Sequence, residues 1–228
     1  MKLATRLLCL ACGMLATAGL AAPAQARPSY LGGAYLAGSF PMGDWADVAG
    51  FGLAADATNV TYPNPDRPMA VRSSIGLLYN FSRTVEVPEA NLAPSSKLDL
   101  ETKNWSLYVG FGPEFSRKSG EIVPFIFGTA GFETYWTQSE LDGTAGGSPY
   151  SAQHGDSRIS FAWTAGVGIR RHVSPAEAVE ISVEYRSGLT HQFVNPNEVT
   201  GSGTTVTANR DSHTSDQILL RIGTLFGY

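Results

Sequence analysis

The chain has 228 residues, with 16 Lys and Arg against 20 Asp and Glu, for a formal net charge of −4. That mild acidity excludes the clustered basic face that nucleic-acid recognition wants, and the length suffices for one domain. Both cysteines, Cys9 and Cys12, fall near the N-terminus, so the remaining chain has no thiol and forms no disulfide.

The first segment reads as an address. Lys2 and Arg6 give a positive region, Leu7 to Ala22 is apolar and uncharged, and Pro23-Ala24-Gln25-Ala26 supplies an A-x-A cleavage site. These are the three parts of a secretory signal peptide, so residues 1–26 are expected to be removed, leaving 27–228. The apolar run falls below the ~20 residues of a membrane-spanning helix. A lipoprotein signal is disfavoured because Cys9 sits where that pattern wants Leu. Removing Lys2 and Arg6 takes the net charge from −4 to −6.

The rest of the chain alternates with period two, the mark of strands with two different faces. A first strand runs near Tyr30 to Phe40, in an open register. Next, Phe51, Leu53, Ala55 and Ala57 oppose Gly52, Ala54, Asp56 and Thr58. In VRSSIGLLYNFS, Val71, Ile75, Leu77, Tyr79 and Phe81 oppose Arg72, Ser74, Gly76, Asn80 and Ser82. In NWSLYVGFGPEF, Trp105, Leu107, Val109, Phe111 and Phe115 oppose Asn104, Ser106, Tyr108, Gly110, Gly112 and Glu114. A fifth strand near Ile122 to Trp136 also has an open register. Then Ile159, Phe161, Trp163, Ala165, Val167 and Ile169 oppose Ser160, Ala162, Thr164, Gly166, Gly168 and Arg170. Val179, Ile181, Val183 and Tyr185 oppose Glu180, Ser182, Glu184 and Arg186. The last strand, DQILLRIGTLFGY, sets Ile218, Leu220, Ile222, Thr224, Phe226 and Tyr228 against Leu219, Arg221, Gly223, Leu225 and Gly227. No helix is expected.

About eight strands near the ~9–11 residues of a tilted membrane-crossing strand predict an all-β fold: an eight-stranded antiparallel up-and-down transmembrane β-barrel. Connections alternate in length. RKSGE and HVSPAEA are tight and NPDRP somewhat longer, while long polar loops are expected near 85–101, 140–157 and 195–217. Short turns on one rim and long loops on the other are the asymmetry of outer-membrane barrels.

In such a barrel the apolar face meets lipid and the small and charged face fills a narrow lumen. The expected interior ion-pair network is Asp56, Arg72, Glu114, Arg170, Glu180, Glu184, Arg186 and Arg221. Glu133 joins it in the register that keeps charge off lipid. Trp105, Trp136 and Trp163 come near the long-loop rim, with Trp45 in a loop on that side. Tyr30, Phe115, Phe226 and Tyr228 come near the other. Amphipathic rings prefer the two lipid–water interfaces.

The signal peptide, GGAYLAGSFPMGDW followed by GFGLAAD, the alternating strands and the terminal aromatic resemble the small OmpA-like, opacity-type outer-membrane β-barrel family. The resemblance implies residence in the outer membrane. It also implies that Ile218, Leu220, Ile222, Phe226 and Tyr228 form the pattern read by the outer-membrane insertion machinery. It departs from the family in having no peptidoglycan-binding domain after the barrel, so no wall tether is expected.

Chemistry is thinly signposted. His172-Val173-Ser174 resembles the His/Ser pair of outer-membrane lipid A deacylases, but Pro175 replaces the following Asn, and the segment lies on the short-turn rim. His191 with Asn195-Pro196 is a fainter likeness, with Phe193 where a serine is wanted. His154, Asp156 and Ser157, with Asp211, Ser212 and His213, sit in the outer segments. Their spacing matches no compact zinc pattern. The expectation is a non-enzymatic surface protein with no cofactor, metal or catalytic residue. Its partners would be outer-membrane lipid, the insertion machinery and a host or envelope ligand, with no nucleic acid. The alternatives are a lipid A-modifying enzyme and a small diffusion pore.

Overall fold

The computed structural model describes residues 29–64, 67–117, 122–174, 176–202 and 204–227. Residues 1–26, the expected signal peptide, lie outside them. Eight strands close an antiparallel barrel in sequence order, β1 pairing with β8. They are β1 Tyr30–Pro41, β2 Gly52–Thr61, β3 Met69–Glu86, β4 Lys97–Ser116, β5 Ile122–Ala145, β6 Ser148–Ser174, β7 Glu177–Ser202 and β8 Thr205–Gly227. One short helix, α1 (Trp45–Val48), lies between β1 and β2, and a 3-10 turn spans Glu89–Asn91. Among the described residues no helix is long and apolar enough to cross a membrane. Closure gives every strand two neighbours around the ring, as a bilayer demands.

The faces are inverted relative to a water-soluble barrel. Leu36, Phe111, Ile126, Phe132, Ile159, Val167, Leu220 and Ile222 are exposed, while Arg72, Glu114, Glu133 and Glu180 have no exposure. The two registers left open by the sequence are fixed. β1 turns Leu31, Tyr35, Ala37 and Ser39 inward, and β5 turns Val123, Phe125, Phe127, Thr129 and Glu133 inward.

Two segments depart from expectation. Residues 140–157 and 195–217, expected as loops, are mostly strand, while 85–101 keeps a loop over 87–96 between two strand ends. β3 to β8 run 18 to 27 residues and project beyond the girdle. Alternation explains it. Leu98, Leu100 and Leu141 face Val87, Val194 and Val199 across an apolar core of their own, with Leu92, Tyr150, Val206 and Ala208 packed against it. The β5–β6 tip is a two-residue turn at Gly146 and Gly147, both with positive φ, as a type I′ hairpin requires. The projections form an outer turret. Within it, β6–β7 pairing stops at Ala162↔Gly188, and residues 148–155 of β6 pair with β5 alone among the described residues. Exposed ion pairs, Lys97–Glu86 at 3.2 Å and Lys103–Glu101 at 3.0 Å, line its flank. These hydrogen bonds hold both lysines above their ordinary range and Glu101 below its own. At such exposure they add little stability.

Candidate functional site: a filled lumen beneath an outer turret

The nine charged side chains buried among the described residues are those placed in the lumen by strand parity: Asp56, Arg72, Glu114, Glu133, Arg170, Glu180, Glu184, Arg186 and Arg221. They sort into two tiers. In the lower, Arg72 donates to Glu114 and Glu180, each at 2.8 Å. Arg170 donates to Glu114 at 3.0 Å, to Glu180 at 2.8 Å and to the Tyr62 hydroxyl at 2.8 Å. Each carboxylate is shared by both guanidinium groups, which closes a four-membered ring of charge. In the upper tier, Arg221 meets Glu184 at 2.8 Å and Asp56 at 3.1 Å, and donates to Thr58 at 3.1 Å. Arg186 donates twice to Glu184, at 3.0 and 3.2 Å. Glu133 is brought to this tier without a direct ion pair.

Aromatic faces sandwich the guanidinium groups. Arg72 lies 4.4 Å from the centroid of Phe127, Arg170 5.0 Å from Phe125, Arg186 4.5 Å from Tyr108 and Arg221 4.5 Å from Tyr35. Desolvated cation–π contacts of this kind reach about 2 kcal/mol. Phe125 and Phe127 lie across β6 where Gly168 and Gly166 oppose them, and a Cβ at either glycine would strike the ring. A hydroxyl chain, Tyr108 to Thr129 to Thr164 at 2.6 and 2.7 Å, fills the wall beside Arg186.

Both ends of the lumen are stoppered. Leu31, Val60, Tyr62, Ala70, Ala178 and Leu225 pack below the lower tier, in one cluster with Tyr35. Above, α1 turns inward and sets Trp45 edge-on against Tyr135, centroids 5.7 Å apart. Arg83 secures it by donating to the Ala46 carbonyl. Trp45 therefore corrects the sequence reading. It is on the expected rim, but fully buried over the lumen.

The outer aromatic girdle is built from rings in contact. Phe40 meets Phe51 at 5.3 Å, Phe51 stacks on Phe81 at 6.1 Å, Tyr79 meets Phe81 at 5.3 Å, and Tyr79 lies 4.3 Å from Trp105. Trp136 stands opposite Trp105 in register, and Trp163 lies 5.3 Å from Tyr185. Tyr30, Met69 and Phe115 are exposed at the other rim. Exposed aromatics at two levels around an apolar band are what a membrane barrel presents to lipid.

The sequence matches the pattern of the outer membrane protein beta-barrel domain family over residues 8–211. The chain belongs to that family. As an outer-membrane β-barrel it resides in the bacterial outer membrane, its girdle set at the bilayer surfaces. Solved structures of similar shape include a major outer membrane protein from Thermus thermophilus, 10% identical with a TM-score of 0.52, over 87% of this chain and 99% of that one. Neisserial surface protein A is 12% identical with a TM-score of 0.44, over 88% and 97%. Ail, the attachment invasion locus protein of Yersinia pestis, is 14% identical with a TM-score of 0.46, over 89% and 99%. The Thermus barrel shares the fold. No curated protein matches the sequence.

The remaining sequence candidates scatter over this barrel. Ile218, Leu220, Ile222 and Phe226 share the outward face of β8, and Tyr228 lies outside the described residues. His172 and Ser174 flank a bulge at the short-turn rim, at the far end from the turret. His191 and His213 are backbone partners in β7–β8. His154 lies on β6, in a shallow polar recess of about 180 Å³ with Glu101, Lys103, Gln138, Glu140 and Gln153. The outer histidines thus sit on two separate parts of the turret. Among the described residues no cluster of three or more His, Cys, Asp or Glu is placed to hold a metal.

Proposed function

We propose that this outer-membrane barrel is a non-enzymatic surface-interaction protein whose turret contacts a polypeptide ligand of a host cell or of the neighbouring envelope. The observation that carries this reading is the turret itself. A projecting sheet with a buried apolar core of Leu98, Leu100, Leu141, Val194 and Val199 is ordered before any partner arrives, which lowers the entropy lost on binding. Residues 148–155 of β6, laddered on one side, offer an extended partner the main-chain groups that β-strand addition uses. In this reading residues 1–26 direct export and are removed after Ala26. The outward face of β8, ending in Tyr228, is what the insertion machinery recognises. In this reading it resembles the opacity-type proteins.

The test is a shortened turret. Residues 139–154 are replaced by Asn-Gly, joining Gln138 to Gly155, which are cross-strand partners. The expected product still shifts on a gel only after boiling, as a folded barrel does, and expressing cells lose adhesion to host-cell monolayers and isolated envelope fractions. Undiminished adhesion by cells carrying the folded, shortened barrel would overturn the proposal.

A further inference from the structure

The two charge tiers differ in balance. In the lower, Arg72 and Arg170 face Glu114 and Glu180, and the charges cancel. In the upper, Arg186 and Arg221 face Asp56, Glu133 and Glu184, leaving one carboxylate in surplus. That carboxylate is Glu133. It has no exposure, and neither of its oxygens makes a well-directed hydrogen bond. Arg186 is the nearest positive influence; Glu184 engages its Nε and Nη2, while its Nη1 has no hydrogen-bond partner. A buried carboxylate without a direct ion pair is costly to hold.

Oxygen atoms gather around it. The Ser106 and Tyr135 hydroxyls stand beside Glu133, and Ser215 beside Tyr135. Ser106 and Ser215 are both buried, with no well-directed hydrogen bond at either hydroxyl. Register explains the grouping: Ser106 and Tyr135 are direct cross-strand partners, and Tyr108 opposes Glu133. Trp45 lies above this cluster, edge-on to Tyr135, and the Arg72–Glu114–Arg170–Glu180 ring lies below it.

We infer that this cluster binds one small monovalent cation, held by the Glu133 carboxylate and the hydroxyl oxygens of Ser106, Tyr135 and Ser215. The charge surplus selects a single positive charge. Calcium would want six to eight oxygens with more than one carboxylate, and one carboxylate ringed by hydroxyls suits sodium or potassium. An anion is excluded by the sign of the site. The cation completes the tier's neutrality and draws the Ser106 and Ser215 oxygens into one shell with the Glu133 carboxylate.

The experiment uses the folded full barrel in detergent. Crystals soaked in rubidium or thallium(I) salt are expected to give an anomalous peak beside the Glu133 carboxylate, lost in Glu133→Gln. At fixed pH and ionic strength, exchanging sodium for N-methyl-D-glucamine lowers the thermal midpoint of the wild type by a few degrees and leaves Glu133→Gln unmoved, because only the site that binds the ion is stabilised by it. If Glu133→Gln fails to fold, Ser106→Ala keeps the charge and is expected to weaken the peak. A wild type without a peak, or one whose midpoint follows pH but is indifferent to the cation, overturns the inference and assigns the surplus to a bound proton.

Discussion

Arg170 donates at once to Glu114, Glu180 and the Tyr62 hydroxyl, and its cross-strand partner is Glu180. Truncating it leaves Arg72 alone between two buried carboxylates, with one negative charge uncompensated, and breaking a buried pair in this way typically costs about 3–5 kcal/mol. Arg170→Met is therefore expected to shift urea unfolding in phospholipid vesicles to markedly lower concentration. Removing Glu180 as well leaves Arg72 and Glu114 as a balanced pair, so Arg170→Met with Glu180→Met should be milder than the single change. A double variant as damaged as the sum of its parts would show that the two side chains do not act as a unit. The membership of the tiers was legible because parity along a strand needs only a count by two, and charge cannot face lipid cheaply. Their pairing was not. Which arginine meets which glutamate depends on strand tilt, so Arg72 on β3 reaches Glu180 on β7 across the lumen. Phe125 and Phe127 were invisible for another reason: an aromatic reads as lipid-facing until Gly166 and Gly168 opposite are seen to make room for it.

At the scale of elements, the strands were located correctly and their lengths were not. The segment KLDLETK alternates as cleanly as the membrane-crossing segments, with Leu98, Leu100 and Thr102 buried between exposed or half-exposed neighbours. Its charge makes it look like a loop, yet charge on the outward face is what a strand standing in water should carry. VTA at Val206 and Ala208 gives the same weak signal in β8. Because the turret has its own core, its stability should separate from that of the barrel. Leu141, with no exposure, is the place to divide them. Leu141→Asp puts an unpaired charge into the turret core and leaves the lumen and girdle untouched. Limited proteolysis of intact cells is expected to cut this variant within the β5–β6 hairpin, while the remaining barrel keeps its heat-dependent gel shift. Loss of the gel shift itself would mean that turret and barrel fold as one cooperative unit.

For the whole molecule the question is whether anything passes through it. A closed ring of eight strands admits a lumen that side chains can just fill. Here an apolar stopper, two charge tiers and the Trp45 lid occupy it in succession. The obstruction nearest the short-turn rim lies far from the turret, so removing the outer hairpins should not unblock it. Purified barrel in planar bilayers is expected to show no stepwise conductance, and so is the variant with residues 139–154 replaced by Asn-Gly. Arg170→Met should also stay silent, because Leu31, Val60, Ala178 and Leu225 still pack below the lower tier. Its defect is expected in unfolding alone. Discrete openings in the wild type would show that the tiers part on the timescale of recording, and the diffusion-pore reading would then displace the filled lumen. Openings confined to the shortened variant would place the barrier in the turret, at the opposite end from the packed apolar stopper.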